Sequence, residues 1–279
     1  MTASVISMIN LKGGVGKTTL TVALAWELAK TYRVLVVDID PQFNATQWIV
    51  PTDKYLKWLT GGNKTVFDVF LPAGDDPAKI SGSKTPKKVV PATLANTVIT
   101  VKDGGVNLSI VPSILDLMQL DAARRGTENR LRNFLKPALK VYDYILIDCP
   151  PTASLFSYAA YLASNAYLVP VKPDPLSVLG LPLLEKAMQD YENLSGEPLP
   201  RLGLVFTQVR QVDSMKRTMA QVRRDYANAV FGATMPLTTG VAEAVESGES
   251  LQTFYKTKGP MKQLLASLAE EFIERVDDL

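Results

Sequence analysis

The sequence contains no histidine and a single cysteine, Cys149, in 279 residues. The first absence removes imidazole acid–base chemistry and the commonest transition-metal ligand. The second excludes an intrachain disulfide framework and a cysteine-rich metal site, and it predicts a reducing, cytoplasmic setting. No run of about 18 apolar residues occurs, so no membrane-spanning helix is expected. The opening stretch MTASVISMIN lacks a basic region followed by a long apolar run, which predicts no secretory signal. An excess of one charge is missing too. Thirty basic residues against 28 acidic ones leave a net charge of +2, so a nucleic-acid surface would have to be a local patch. What is present is a hydrophobic share of 47% beside 21% charged residues, the balance of a globular chain rather than a disordered one.

Continuous apolar runs predict strands buried on both faces: 4–10, 33–38, 144–149, 166–172 and 201–208. Helical stretches are expected at 18–30, 115–141 and 179–193, between the strands. This alternation predicts an α/β fold, doubly wound, with a mostly parallel sheet and helices on both faces. The expected organisation is one domain over 1–279. A variable segment at about 51–108 is rich in loop chemistry, such as TGGN, PAGDDP and SGSKTPKK, with the strand-like NTVITV inside it. From Pro260 to Leu279, Met261, Leu264, Leu265, Leu268, Phe272 and Val276 recur at helical spacing. Glu270, Glu271, Glu274 and Asp278 take the other side. An acidic face is repelled by anionic lipid, so this helix is expected to pack on the core.

The stretch NLKGGVGKTTL (10–20) follows the first predicted strand and opens the first predicted helix. In that context a glycine-rich turn is a phosphate loop. Gly13, Gly14 and Gly16 let the backbone wrap an anion without Cβ clashes, and the helix N-terminus adds positive potential. Lys17 is placed to bridge the β- and γ-phosphates, and the Thr18 hydroxyl to sit on Mg²⁺. Val15 and Thr19 complete the expected nucleotide contacts. The first glycine of G-x-x-x-x-G-K-[ST] is replaced by Leu11, and Lys12 precedes the paired glycines. Asp148 ends an apolar strand and is expected to hold Mg²⁺ through water. Asp38 and Asp40 end the second strand, at the mouth of the sheet where α/β folds bind ligands.

KGGVGKTT resembles the deviant Walker A box of ParA/MinD-type ATPases. VLVVDIDPQFNAT (34–46) is similar to that family's second box, which usually has glycine where this chain has Phe43. VYDYILIDCPPTASLFSYAA (141–160) is similar to its Walker B region, and 167–181 and 235–272 match later blocks. The resemblance, closest to the ParA-like partition and positioning ATPases, implies a P-loop fold and weak intrinsic hydrolysis of ATP with Mg²⁺. It implies that Asp40 positions the attacking water while Asp38 supports the loop and the Mg²⁺ shell. It further implies that Lys12 reaches the partner's nucleotide in an ATP-dependent homodimer, as an arginine finger does in trans. Thr207, Gln208 and Pro236 are the implied neighbours of the adenine.

The family likeness also implies non-specific DNA binding in the ATP state and a nucleoid location. A ParB-like or cargo-adaptor protein would stimulate hydrolysis, and the cargo would be a plasmid, a chromosome locus or a protein body. The expected DNA surface is basic: Lys216, Arg217, Arg223 and Arg224 on one predicted helix, and Lys256, Lys258 and Lys262 in a second cluster. Where many relatives carry arginines before an EA pair, this chain has Leu237 and Gly240. Three alternatives stand beside this expectation. A MinD-like membrane ATPase would want a basic C-terminal helix. A cluster-bridged reductase would want more cysteines. A nucleotide-binding scaffold would turn over little. With the first strand starting by Ser4, no operator-reading domain is expected before the loop.

Overall fold

The computed structural model describes residues 2–71, 90–101, 105–120, 126–254 and 256–279. Among the described residues, eight strands form one sheet in the order β3-β4-β2-β5-β1-β6-β7-β8. They are β1 (Ser4–Met8), β2 (Val34–Asp38), β3 (Ile99–Thr100), β4 (Leu108–Val111), β5 (Tyr144–Asp148), β6 (Ala166–Val171), β7 (Arg201–Val209) and β8 (Val230–Pro236). Every pairing is parallel except that of the edge strand β3 with β4. Alternate side chains point to opposite faces and both faces are covered, as an all-apolar parallel strand requires. Val34 and Val36 of β2 enter one core, and Leu35 and Val37 the other.

The first core lies under α1 (Lys17–Leu28), α2 (Asn44–Ile49), α10 (Thr239–Ser247) and α11 (Lys258–Asp277). The second lies under α4 (Val66–Phe70), α6 (Asn129–Leu135), α7 (Leu155–Ala163), α8 (Pro175–Ser195) and α9 (Asp213–Tyr226). Two further helices, α3 (Thr52–Thr60) and α5 (Leu94–Thr97), lie in the loop-rich segment. α11 buries Met261, Leu265, Leu268, Phe272 and Val276, as its periodicity predicts. Glu271 departs from the expected open acidic face. It is half-buried, 2.8 Å from Arg275, and accepts the Gly232 N–H.

Four expectations need correction. The stretch 115–141 is not one helix. Its described residues form a 3₁₀ turn at Leu115–Leu120, then α6, then a second 3₁₀ turn at Ala138–Lys140, and 121–125 lie outside the described residues. Gly126 in the left-handed region and Pro137 ahead of the last turn interrupt it. β4 and β8 are strands that the apolar runs do not predict. The first is four residues long, and the second contains Gly232 and ends in proline, so neither reads as a long apolar run. The predicted strand in NTVITV shrinks to Ile99–Thr100, antiparallel at the sheet edge. Within the 51–108 segment, residues 72–89 and 102–104 lie outside the described residues.

β1 sits between β5 and β6, while the next strand in the chain, β2, lies beyond β5. The chain therefore reverses direction across β1, and the loops leaving β1, β2 and β5 meet at the carboxyl edge of the sheet. That is the topological switch point where such folds take ligands.

Candidate phosphate site

The glycine loop leaves β1 and turns directly into α1. Gly14 and Gly16 adopt φ of 70° and 82°, a region in which a side chain is strained. A Cβ on Gly16 would also stand 3.4 Å from Thr207. The loop is tied down from β7. The Thr207 hydroxyl donates to the Val15 carbonyl, and Gln208 Nε2 donates to the Gly14 carbonyl at 2.6 Å. These two candidates for adenine contact therefore brace the phosphate loop. Pro236 ends β8 opposite Val209, one residue past Gln208.

The Lys17 ammonium is buried and donates to the carbonyls of Asn10 at 3.1 Å and Lys12 at 3.2 Å. Burial pulls its pKa down, and the charges of Asp148 and Asp40 oppose that pull. The Thr18 hydroxyl donates to Asp148 Oδ2 at 2.7 Å, and the Thr21 hydroxyl to Oδ1 at 3.2 Å. A hydroxyl beside a carboxylate at the end of a buried strand is the hard-oxygen donor chemistry that suits Mg²⁺. The observed Thr18–Asp148 contact thus fits that ion. Thr19 is half-buried on the same turn.

Asp38 and Asp148 are register partners on adjacent strands and neither reaches solvent. Burial and the neighbouring Asp148 charge raise the Asp38 pKa well above the usual carboxylate range. Burial raises Asp148 to about 6, against the stabilising Thr18 hydroxyl. Asp38 spends its oxygens on the protein. Oδ2 accepts the Thr46 N–H at 2.8 Å and hydroxyl at 2.7 Å, and Oδ1 accepts the Asp40 N–H at 3.2 Å. It braces the loop rather than facing the cleft. Asp40 does face it, lining a cleft of about 270 Å³ with Gln42, Met118, Pro150, Pro151 and Phe156. Its Oδ1 accepts the Gln42 N–H at 2.9 Å, which sets the carboxylate's direction.

Lys12 does not join Lys17. Its ammonium donates to Asp174 Oδ1 at 3.1 Å and to the Ser177 hydroxyl at 3.0 Å, both at the start of α8. Asp174 caps that helix, accepting the Ser177 N–H at 3.0 Å. Burial alone would raise the Asp174 pKa, but Ser177 and Lys12 outweigh it and hold the carboxyl below its usual range. These two partners were not found from sequence. D-P-L-S carries a helix-start signature, with acceptor and proline in place. Nothing in a spacing of 162 residues points back to Lys12. Next to them, α8 exposes Leu176, Leu179 and Leu183, each more than 60% accessible.

Of the basic candidates, Lys216, Arg217 and Arg224 are exposed on α9. Arg223 turns inward, donating to the Phe231 carbonyl at 3.1 Å and lying 5.5 Å from the Phe206 ring centre. Lys256 is paired with Glu243. Lys262 is exposed, and the Lys258 side chain lies outside the described residues. A side chain at Gly240 would meet Lys256 and Thr257 at 3.1 Å, so an arginine there would have to displace that segment. Cys149 is buried, and burial pushes its thiol far above the usual value, as suits a small core residue.

Comparison with known proteins bears on the family and the fold. A family model described as an AAA domain matches residues 3–197. The chromosome partitioning protein ParA of Caulobacter vibrioides is 30% identical over 98% of this chain and 95% of its own. A putative plasmid partition protein of Borrelia burgdorferi bound to AMPPNP superposes with a TM-score of 0.73 at 21% identity, covering 99% of this chain and 100% of that one. The ATP complex of an Asp-to-Ala variant of Cyanothece McdA gives 0.72 at 20% identity, over 95% and 96%. With the deviant phosphate loop, the eight-stranded sheet and these relatives together, the chain belongs to the ParA-like family of P-loop ATPases.

Proposed function

We propose that this chain, acting as one domain over 1–279, hydrolyses ATP slowly and uses the nucleotide to switch between a monomer and a DNA-binding sandwich dimer. The loop 13–18 would bind the triphosphate, with Lys17 moving from the Asn10 and Lys12 carbonyls to the phosphate oxygens. Mg²⁺, held by Thr18 and through water by Asp148, would neutralise charge on the β- and γ-phosphates. Asp40 would orient the attacking water in the cleft that it lines, and the bond between the γ-phosphorus and its bridging oxygen would break.

The observation that carries the dimer is Lys12. Within one chain its ammonium is engaged at the N-terminus of α8, not at the phosphate loop. Released, it would be free to reach a partner's phosphate and add positive charge to the transition state. The exposed leucines of α8 beside it supply apolar area for a second copy. The relatives named for chromosome and plasmid partition support a positioning role. A hydrolysis-stimulating partner and a nucleoid location belong to the same proposal. A MinD-like membrane role is disfavoured by Glu270 and Glu274, exposed on α11, and by Asp278 at its C-cap. Among the described residues no helix is long and apolar enough to cross a membrane.

The direct test of the chemistry is phosphate release by Asp40→Ala. Retained ATP binding with turnover reduced at least about a hundredfold is expected for a lost water-positioning group. Normal turnover in this variant would remove Asp40 from the mechanism.

A further inference from the structure

The turn that carries Asp40 is closed by a residue in a disfavoured conformation. Phe43 has φ 44° and ψ 33°, in the left-handed region. Glycine enters that region freely, and a residue with a Cβ does not. Such strain persists only where the surroundings over-determine it, and it collects at functional sites. The Phe43 N–H donates to the Asp40 carbonyl at 2.8 Å, closing the turn. Glycine would serve that purpose at less cost, so the phenylalanine ring must supply something else.

The ring lies stacked on Tyr55 of α3, with centroids 6.3 Å apart and planes 27° apart. From Tyr55 the contacts run back to the same aspartate. The Tyr55 hydroxyl donates to the Ser113 carbonyl at 2.6 Å, and the Ser113 hydroxyl donates to the Asp40 carbonyl at 2.9 Å. The Ser113 N–H donates to Thr46 Oγ1, which itself donates to Asp38. The Asp40 carbonyl thus receives both ends of a closed circuit through Phe43, Tyr55 and Ser113.

We propose that Phe43 and Tyr55 are positioning residues for ATP hydrolysis. The stacked pair braces the Asp40 turn against α3 and fixes the direction in which its carboxylate meets the attacking water. This inference rests on the role given to Asp40 above. It assigns part of the loop-rich segment, through α3, a place in the chemistry. A displacement of about 1 Å at such a group lowers a rate by up to about a hundredfold without touching substrate affinity.

The test compares kcat, KM for ATP and melting temperature for Phe43→Gly, Phe43→Tyr, Tyr55→Leu and the Phe43→Gly/Tyr55→Leu double variant, with Asp40→Ala alongside. Phe43→Gly loses the ring but relieves the backbone, so its melting temperature and KM stay near wild type while kcat falls at least about tenfold. Phe43→Tyr keeps the stack and retains kcat within about twofold. Tyr55→Leu loses kcat as Phe43→Gly does, and the double variant is no slower than the worse single one, because both remove the same brace. Wild-type kcat in Phe43→Gly beside an inactive Asp40→Ala overturns the brace alone. An equal loss in Phe43→Tyr, or multiplicative losses in the double variant, overturns it as well. Normal turnover in Asp40→Ala overturns the role of Asp40 and the brace with it.

Discussion

At the scale of single residues, the site stores electrostatic cost in its carboxylates. Asp38 and Asp148 stand side by side without solvent, and burial raises the Asp148 pKa to about 6. In an unfolded chain an aspartate releases its proton near pH 3.9. As pH rises from about 4 to about 6, the folded protein therefore keeps a proton that the unfolded chain has lost. The contribution of Asp148 to stability declines across that window and stays low above it. Asp148→Asn removes the buried charge and keeps a partner for Thr18. At pH 7 and without nucleotide, this variant should be more stable than the parent, because the buried charge that burial disfavours is gone. The gap should close near pH 4, and Mg²⁺-dependent ATP binding should be lost. Equal melting curves at pH 7 would contradict the assignment. Lys17, Thr18 and Asp148 were legible from sequence because motif spacing and strand ends mark them. Thr21, Thr46, Ser113, Asp174 and Ser177 were not. They are ordinary hydroxyls and a helix cap whose partners lie up to 165 residues away.

At the scale of elements, α8 does two jobs at one end. Asp174 caps the helix and also holds Lys12. The Asp174 carboxyl is held below its usual range, so its stabilising contacts persist above about pH 4 and fail only as acid protonates it. Asp174→Asn keeps a capping side chain but weakens the hold on Lys12. The ATP concentration giving half-maximal dimer should then fall, by about threefold or more if the lost pairing is a partly exposed one. An unchanged or higher value, followed by light scattering, would argue against the cis contact as a restraint. Packing makes a separate prediction on β7. A Cβ at Gly203 would lie 2.5 Å from the Phe231 ring and 2.8 Å from the Ala229 carbonyl. The carbonyl belongs to backbone, so Gly203→Ala should cost at least about 1–3 kcal/mol in chemical denaturation. The long apolar strands were readable because continuous burial leaves a continuous apolar run. β4 and β8 were hidden because four residues, or a strand holding glycine and proline, carry too little of that pattern.

At the scale of the whole molecule, one sheet gathers strands from Ser4 to Pro236, so the loops of the phosphate site are carried on one scaffold. Its nearly neutral charge makes any DNA contact a matter of local side chains. Lys216, Arg217 and Arg224 of α9 are exposed, while Arg223 is engaged inside the fold. In a mobility-shift salt series with ATP, reversing these three to glutamate should flatten the slope of log K against log salt by about 0.9 per lost phosphate contact. A wild type that binds equally with and without ATP would remove the switch from this surface. The central claim, however, is that nucleotide transfers Lys12 from Asp174 to a partner subunit. Sedimentation of wild type and Lys12→Ala, each with and without ATP and Mg²⁺, tests it most directly. Wild type should shift from monomer to dimer only with nucleotide, and Lys12→Ala should bind ATP yet stay monomeric. A Lys12→Ala protein that dimerises on ATP and hydrolyses it at the wild-type rate would contradict the account.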